Sequence, residues 1–323
     1  MDTERSFMFT ILTATYNRAN TLERLYESIL LQNYRDFEWL IIDDGSKDNT
    51  EIVIREIMEK APFKIRYYYK ENGGKHTALN YAYNLLNSTY VIIMDSDDEM
   101  APGVLWRMGE IWKEIPKEEY ERYSDISGRC IDSKTKKIVG RPYPNNINKL
   151  LGNKKKRTIV RAAGEKSTCR KTDILVQYPF PEFDDTKFVV ESIVWQAIHK
   201  NYDQYCVNDI FRVYHQDLPD SLSTGNMHSK QRSTSWYYMS QYYINDNIEA
   251  FLYNPKKVLF HFINISRCAI LSRKKYPEVI KSLNKTYKKI FVTFGYLISW
   301  SWILIFARER YKNVINSDIE RRG

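Results

Sequence analysis

From residue 7 the chain alternates short apolar runs with stretches in which apolar residues recur every three or four positions. FMFTILTA (7–14), FEWLIID (37–43), KIRYYY (64–69) and YVIIMD (90–95) are rich in β-branched and aromatic residues and closed by polar or glycine-bearing turns, which predicts four strands. Between the first two, apolar residues repeat at Leu22, Leu25, Ile29 and Leu30; Ile52, Ile54, Ile57 and Met58 do the same between the second and third. Both gaps predict amphipathic helices, and Asp48 or Asn49 stands where the second helix needs its N-cap. Strand and helix repeated in this way require a largely parallel sheet with right-handed crossovers, and such sheets bind ligands at the carboxyl ends of their strands. The expected class is therefore α/β, a Rossmann-like, mostly parallel central sheet flanked by helices, with a C-terminal helical extension.

Past residue 120 the alternation breaks into a basic stretch, NKKKRTIVR (153–161), and an acidic one, FPEFDDTKF (180–188), both expected as loops. From about residue 230 the pattern is helical and tyrosine-rich, then studded with Lys and Arg. The expected division is one domain over 1–228, with halves near 1–103 and 104–228, followed by a basic helical region over 229–323. A chain of 323 residues that is 43% hydrophobic has material for a sizeable core, which excludes a disordered or low-complexity protein. The net charge of +9 is unevenly placed: residues 256–323 hold 15 basic and 4 acidic residues, against 34 and 36 in residues 1–255. Such a tail suits an anionic surface, and the lack of a nucleic-acid motif argues for lipid over nucleic acid. Cys130, Cys169, Cys206 and Cys268 form no CxxC pair, and MDTERSFMF lacks the apolar run of a secretory signal. A reducing, cytoplasmic setting without disulfides is expected.

Three strand ends carry polar groups in a consistent order: Thr15-Tyr16-Asn17, then Asp43-Asp44-Gly45-Ser46, then Asp95-Ser96-Asp97-Asp98. Carboxylates one residue apart present hard oxygen ligands to Mg²⁺ or Mn²⁺, and a diphosphate completes the octahedron. Such an ion would stabilise charge growing on a departing nucleoside diphosphate. Between the third and fourth strands, ENGGKH (71–76) opens the helix TALNYAYNLL. Glycine permits close backbone approach, and a helix N-terminus beside Lys75 favours an anion such as diphosphate; the alternative is a plain glycine-rich helix start with Lys75 in solvent.

The run from Phe9 to Thr50, with ENGGKHTALNYAYN and YVIIMDSDD after it, resembles the family 2 glycosyltransferases of the GT-A fold, closely over about 7–103 and loosely over 104–218. The resemblance implies inverting transfer of a sugar from a nucleotide donor, commonly a UDP-sugar, with Mn²⁺ or Mg²⁺. It implies a nucleotide-sugar site built from Thr15, Tyr16, Asn17, Asp44, Lys75, Asp95 and Ser96: Tyr16 stacks on the base, Asp44 accepts a hydrogen bond from it, and Asp95 faces the ribose. Asp97 would ligate the metal. The family draws its general base from an acidic pair opening a helix. At the matching place, Lys187 to Trp195, the second acid is Ser192, which leaves Glu191 as first choice with Asp184 and Asp185 in reserve. Some members use a histidine near FRVYHQD (211–217) as a ligand, which implicates His215, and Ser221 and Ser223 are weaker candidates for phosphate or acceptor contacts.

Residues 290–307 are 18 uncharged positions, about 27 Å as a helix, short of a hydrocarbon core near 30 Å. Lys288 and Lys289 precede the run, Arg308, Arg310 and Lys312 follow it, and Trp300 and Trp302 lie inside it. Positive charge on both flanks favours an interfacial helix that holds the protein beside a lipid-linked acceptor; the other readings are a buried helix on the catalytic domain or an oligomer contact with a second copy. The expected function is a metal-dependent inverting glycosyltransferase acting on a polysaccharide or lipid-linked glycan, peripheral at the inner face of the plasma membrane. A nucleotidyltransferase and a noncatalytic sugar-nucleotide-binding scaffold at the membrane are the alternatives.

Overall fold

The computed structural model describes residues 5–143, 149–150, 164–215, 230–252 and 254–306. The stretch 153–161, Ser221, Ser223 and the basic residues from Arg308 onward lie outside them. The chain forms two compact units, one of residues up to Glu182 with Val194–Gly225, the other of Phe183–Ile193 with the chain from Asn226 onward. The segment bearing Asp184, Asp185 and Glu191 thus belongs to the second unit, although its sequence neighbours lie in the first.

All four expected strands form: β1 (Phe7–Thr15), β2 (Phe37–Asp43), β3 (Lys64–Tyr69) and β4 (Ser88–Ile93). They are joined by β5 (Glu99–Met100), β6 (Tyr123–Asp132), β7 (Lys149–Leu150), β8 (Lys166–Lys171) and β9 (Asp203–Tyr214). The sheet runs β3-β2-β1-β4-β8-β6-β9-β5, with β7 also on β9. β3, β2, β1 and β4 are parallel, β8 is antiparallel to both neighbours, and β6 and β9 are parallel again. Thr15 pairs with Asp43 and Asp43 with Tyr69, so the first three strands end level. Met94 donates to Leu12 O, which brings the Asp95–Asp98 segment out at the same rim.

The crossovers are α1 (Leu22–Leu30), α2 (Thr50–Lys60) and α3 (Lys75–Tyr83), with α4 (Val104–Glu114) following β5. α1 buries Leu22, Leu25 and Ile29 as its spacing requires. α2 departs from expectation: Ile54 and Ile57 are buried, whereas Ile52 and Met58 are exposed, because at 100° per residue Ile52 points away from the Ile54–Ile57 face. Of the two expected cap residues, Asn49 makes no side-chain cap bond and Asp48 accepts from Thr50 N at 3.0 Å. Phe9, Ile11, Trp39, Ile41 and Ile92 fill the core between the sheet and these helices, each contributing about 1.5–3 kcal/mol through burial. α5 (Lys117–Tyr120), α6 (Thr172–Leu175) and α7 (Ser192–Asn201) are shorter.

The second unit is helical: α8 (Lys230–Asp246), a 3-10 turn (Ile248–Leu252), α9 (Pro255–Ser272), α10 (Tyr276–Lys281) and α11 (Thr286–Phe306). Pro255 opens α9, where Asn254 Oδ1 accepts from Lys257 N at 3.1 Å, a helix start that needs no amide at its first position. The interior joins apolar side chains such as Ile244, Val258, Ile265 and Val292 to a polar set. Ser233, Thr234, Ser235, Ser240, His261, Asn264 and Ser266 are all buried, and Ser240 Oγ bonds both His261 Nδ1 at 3.1 Å and Asn264 Nδ2 at 2.9 Å. α9 and α11 pack closely because Gly295 faces α9; a Cβ there would lie 2.7 Å from Phe262 O. Ser266 donates to Val292 O at 2.9 Å and Ser299 to Ile263 O at 3.4 Å, so the two helices run in opposite directions. Among the described residues no helix is long and apolar enough to cross a membrane. Lys288, expected as a charged flank, is instead buried and donates to Asn245 O at 3.1 Å and Asn284 Oδ1 at 2.8 Å. It starts the inward face of α11, one turn before Val292.

Candidate active site

The loops after β1 and β2 are laced together by their own side chains. Asn17, at φ +50°, donates its N–H to Ser46 Oγ at 2.8 Å and accepts from Lys47 N at 2.8 Å. Arg18 N donates to Thr50 Oγ1 at 2.9 Å. Asp43 accepts from Ser46 N at 2.8 Å and from the Tyr67 hydroxyl at 3.0 Å. This lacing leaves Tyr16 displayed at the rim, its ring 42% exposed, a free aromatic face of the kind that takes a base. Thr15, its neighbour in sequence, and Ser96 after β4 are both buried, and Thr15 Oγ1 has no hydrogen-bond partner.

Asp44 is a buried organiser. Its carboxylate accepts from Lys70 Nζ at 2.7 Å, Asn72 Nδ2 at 3.1 Å, Gly73 N at 2.9 Å and Gly74 N at 2.7 Å. Those four donors fold the 70–74 loop over the end of β2 and fix where α3 begins. Gly45, at φ +82°, is required here, since a Cβ would meet Asn72 N at 2.7 Å. Lys70 also reaches Thr77 Oγ1 at 2.9 Å. The sequence reading missed Lys70 because a lysine after a strand carries no signal by itself.

Lys75, on the first turn of α3, points to Asp95 and pairs with its Oδ1. Asp95 Oδ2 accepts from Arg212 Nη1 at 3.0 Å, and Asp98 Oδ2 lies 3.2 Å from the same nitrogen. Arg212 Nη2 donates to Ile93 O at 2.9 Å. This buried arginine of β9 ties the acidic segment to the last long strand; the sequence reading missed it inside FRVYH, where it reads as an ordinary strand residue. Close packing works to raise the Asp95 carboxyl, but Lys75 and Arg212 outweigh it and hold it well below the usual range. Burial and the neighbouring Asp95 push Asp97 up. Burial takes Asp98 up to about 7 against the pull of Arg212. Asp98 Oδ1 accepts from His215 N at 2.8 Å, and His215 Nε2 bonds Glu99 Oε1.

Asp97 and His215 therefore stand in one unit with differing needs. Asp97 is a carboxylate whose burial and neighbouring Asp95 outweigh the pull of Arg18 and Lys75, and His215 Nδ1 is buried with no hydrogen-bond partner. Both features fit donors to a hard divalent cation. Among the described residues no cluster of three His, Cys, Asp or Glu side chains could hold a metal ion, so such an ion would draw its remaining ligands from substrate oxygens and water.

In the second unit Asp185 is already engaged: Lys274 Nζ lies 2.6 Å from Oδ2 and the Tyr238 hydroxyl 3.1 Å from Oδ1. Asp184 is exposed. Glu191 is partly buried and immediately precedes α7. In the first unit Asn80 of α3 donates to Phe180 O at 2.9 Å and Glu182 Oε1 at 2.8 Å and accepts from Phe180 N at 2.8 Å. The nucleotide-side helix is thus pinned to the chain just before the acidic segment.

Comparison with known proteins agrees with this geometry. A family model described as Glycosyl transferase family 2 matches residues 10–170. An uncharacterized glycosyltransferase of Nostoc sp. is 35% identical over 103 residues, which cover 32% of this chain and 32% of that protein, so the match spans about a third of the relative's length. A GalNAc(5)-diNAcBac-PP-undecaprenol beta-1,3-glucosyltransferase of Campylobacter jejuni is 25% identical over 225 residues, 67% of each chain. In fold, S. aureus TarS 1-349 in complex with UDP-GlcNAc superposes with a TM-score of 0.57 at 14% identity, covering 91% of each chain. A mannosyltransferase from Pyrobaculum calidifontis in complex with GDP-Man and Mn2+ gives a TM-score of 0.50 at 16% identity, over 97% of this chain and 84% of that one. A GT-A sheet with its acids gathered at one rim, and a sequence match that spans that rim, place this chain in the family 2 glycosyltransferases.

Proposed function

We propose that the protein transfers a sugar, with inversion, from a nucleoside diphosphate sugar of the UDP type to a hydroxyl of a lipid-linked or polymeric glycan, at the inner face of the plasma membrane. The observation that carries this is the Lys75–Asp95–Arg212–Asp98 network at the strand ends, next in sequence to Asp97 and on the same sheet rim as the exposed Tyr16. A cation and a ribose-compatible carboxylate are held together there, as a nucleoside diphosphate requires. The name of the C. jejuni relative specifies a glycan on undecaprenol diphosphate, which supports a lipid-linked acceptor here.

Tyr16 supplies an aromatic face for the base, with Thr15, Asn17 and Ser96 around it. Asp44 shapes the loop that presents Lys75 and the α3 amides. Lys75 takes the diphosphate and Asp95 is freed toward the ribose hydroxyls. Asp97 and His215 would hold Mn²⁺ or Mg²⁺, which when bound neutralises charge on the leaving diphosphate. Glu191 accepts the proton of the attacking hydroxyl as its oxygen bonds to the anomeric carbon and the bond from that carbon to the diphosphate oxygen breaks. Asp185, already engaged by Lys274 and Tyr238, stays in reserve.

The test is product analysis with a panel of UDP-, GDP- and dTDP-sugars, each with and without Mn²⁺. Free nucleoside diphosphate and an inverted anomeric linkage are expected. Release of pyrophosphate would point to nucleotidyl transfer instead, and thermal stabilisation by a GDP-sugar alone would overturn the UDP assignment.

A further inference from the structure

In a helix that packs on a water-soluble unit, the apolar stripe is expected to face inward. α11 has a second one. Its inward face carries Val292, Gly295, Tyr296 and Ser299 against α9, yet Ile290, Phe291, Phe294, Leu297 and Ile298 are all at least 51% exposed. At 100° per residue these five fall within an arc of about 120° on the outward side. On α9, Phe262 meets Phe291 of this stripe at 5.3 Å between ring centroids, and Leu259, Phe260 and Ile263 around it are exposed. Exposed apolar residues therefore lie on both of two antiparallel helices, and among the described residues these side chains remain uncovered.

Charge marks the start of each helix. Lys285 is exposed at the start of α11, and Lys256 and Lys257 are exposed at the start of α9. Because the helices are antiparallel, these cations stand at opposite ends. A two-fold-related copy would set rims of the same sign against each other, whereas anionic headgroups complement both ends at once.

We infer that the outward face of α11, with the adjoining residues of α9, is a membrane-insertion surface that beds flat into the headgroup region of an anionic bilayer. The occupant is lipid, and the binding resides in residues 256–298 rather than in the basic residues beyond 307. This deepens the peripheral placement proposed above and rests on it.

The experiment uses the full chain and vesicles of phosphatidylcholine with or without phosphatidylglycerol. The parent protein should sediment with the anionic vesicles and hardly with the neutral ones, and Phe294→Glu with Leu297→Glu should weaken that binding at least tenfold. Both residues are exposed, so far-UV circular dichroism should stay unchanged. A second measurement needs no disruptive change: Leu297→Cys carrying an environment-sensitive fluorophore, selective because Cys130, Cys169, Cys206 and Cys268 are buried, should shift to the blue with anionic vesicles. Donor hydrolysis in vesicle-free buffer, which reports the catalytic reading separately, should match the parent in every variant. An unshifted label, a parent that ignores anionic vesicles, or a double variant that binds as the parent does would overturn the inference. So would a dimer in solution that the double variant dissolves, which would assign the face to a second copy.

Discussion

In the first unit Phe9, Ile11, Trp39 and Ile92 are sealed between sheet and helices while charge gathers at the strand ends; in the second, Ser235, Ser240, His261 and Asn264 are inside and Phe294, Leu297 and Ile298 face out. The two units place their polar groups differently. Arg212 and Lys75 of the first unit neutralise carboxylates, so its polar network is ionic and organised around a rim. The Ser240–His261–Asn264 set is made of neutral hydrogen bonds between helices. Polar satisfaction of that second kind stabilises helix pairs without asking the outer face to be hydrophilic. The proposed catalytic geometry and the proposed surface attachment thus rest on separate physical solutions in one chain.

Each unit should break at a different kind of residue. The largest effect is expected from Arg212→Met, which leaves buried Asp98 and its neighbour Asp95 without their shared cation and should cost about 3–5 kcal/mol. Hydrogen exchange at β4 and β9 would report it, and a loss under about 1 kcal/mol would show that the ionic network does not hold the rim. Next, Asp97→Ala should lower nucleoside diphosphate release at least about a hundredfold while the thermal midpoint stays within about 2 °C; parental turnover with unchanged metal dependence would remove Asp97 from the site. Glu191→Gln should slow transfer by about a hundredfold with donor affinity retained. Asp185→Asn should remain within about twofold of the parent rate, because loss of its partly exposed Lys274 pair is a small stability effect. The reverse ranking would move the base to Asp185.

The smallest effect distinguishes the neutral interior. Burial, helped by Lys257, depresses the His261 pKa from the ordinary 6.5 to about 3. An unfolded chain then takes up the proton first as pH falls, so the stability is whole above about pH 6.5 and shrinks toward pH 3. Between pH 7 and 5 the loss is about 2 kcal/mol, measurable in the unfolding of α8 and α9. His261→Gln should flatten that dependence, and a slope that persists would place the titrating group elsewhere.

β1, β2 and β4 could be read from sequence because each carries an apolar run that is largely buried on both faces, whereas β3, which has no fully buried residue, was legible from its aromatic and β-branched side chains. β8 could not. KSTCRK looks like surface, yet it is almost wholly buried between β4 and β6, with Lys171 donating to Tyr120 O and Arg170 set over Trp195 at 3.8 Å. Only tertiary pairing reveals that. The strand-end motifs located Tyr16, Asp44, Asp95 and Asp97 because their chemistry is local, whereas Lys70 and Arg212 arrive from 26 and 117 residues away. In α8, RSTSWYYMS gives a hydrophobic scale no reason to turn Ser233 and Thr234 inward, yet both are buried, Thr234 donating to Lys230 O of its own helix at 2.9 Å.

The pairing of Lys75 with Asp95 has a consequence for the end of the catalytic cycle. Lys75 is already paired, so on the proposed assignment of Lys75 to the diphosphate, part of that attraction would be offset by breaking an existing bond. The same exchange would run backward once the sugar had left, with Asp95 competing with the spent nucleotide for Lys75. A site that closes on itself in this way sheds its product readily, and we expect nucleoside diphosphate to inhibit with a constant above the donor KM; tight, rate-limiting retention of product would show that the pair does not re-form between turnovers.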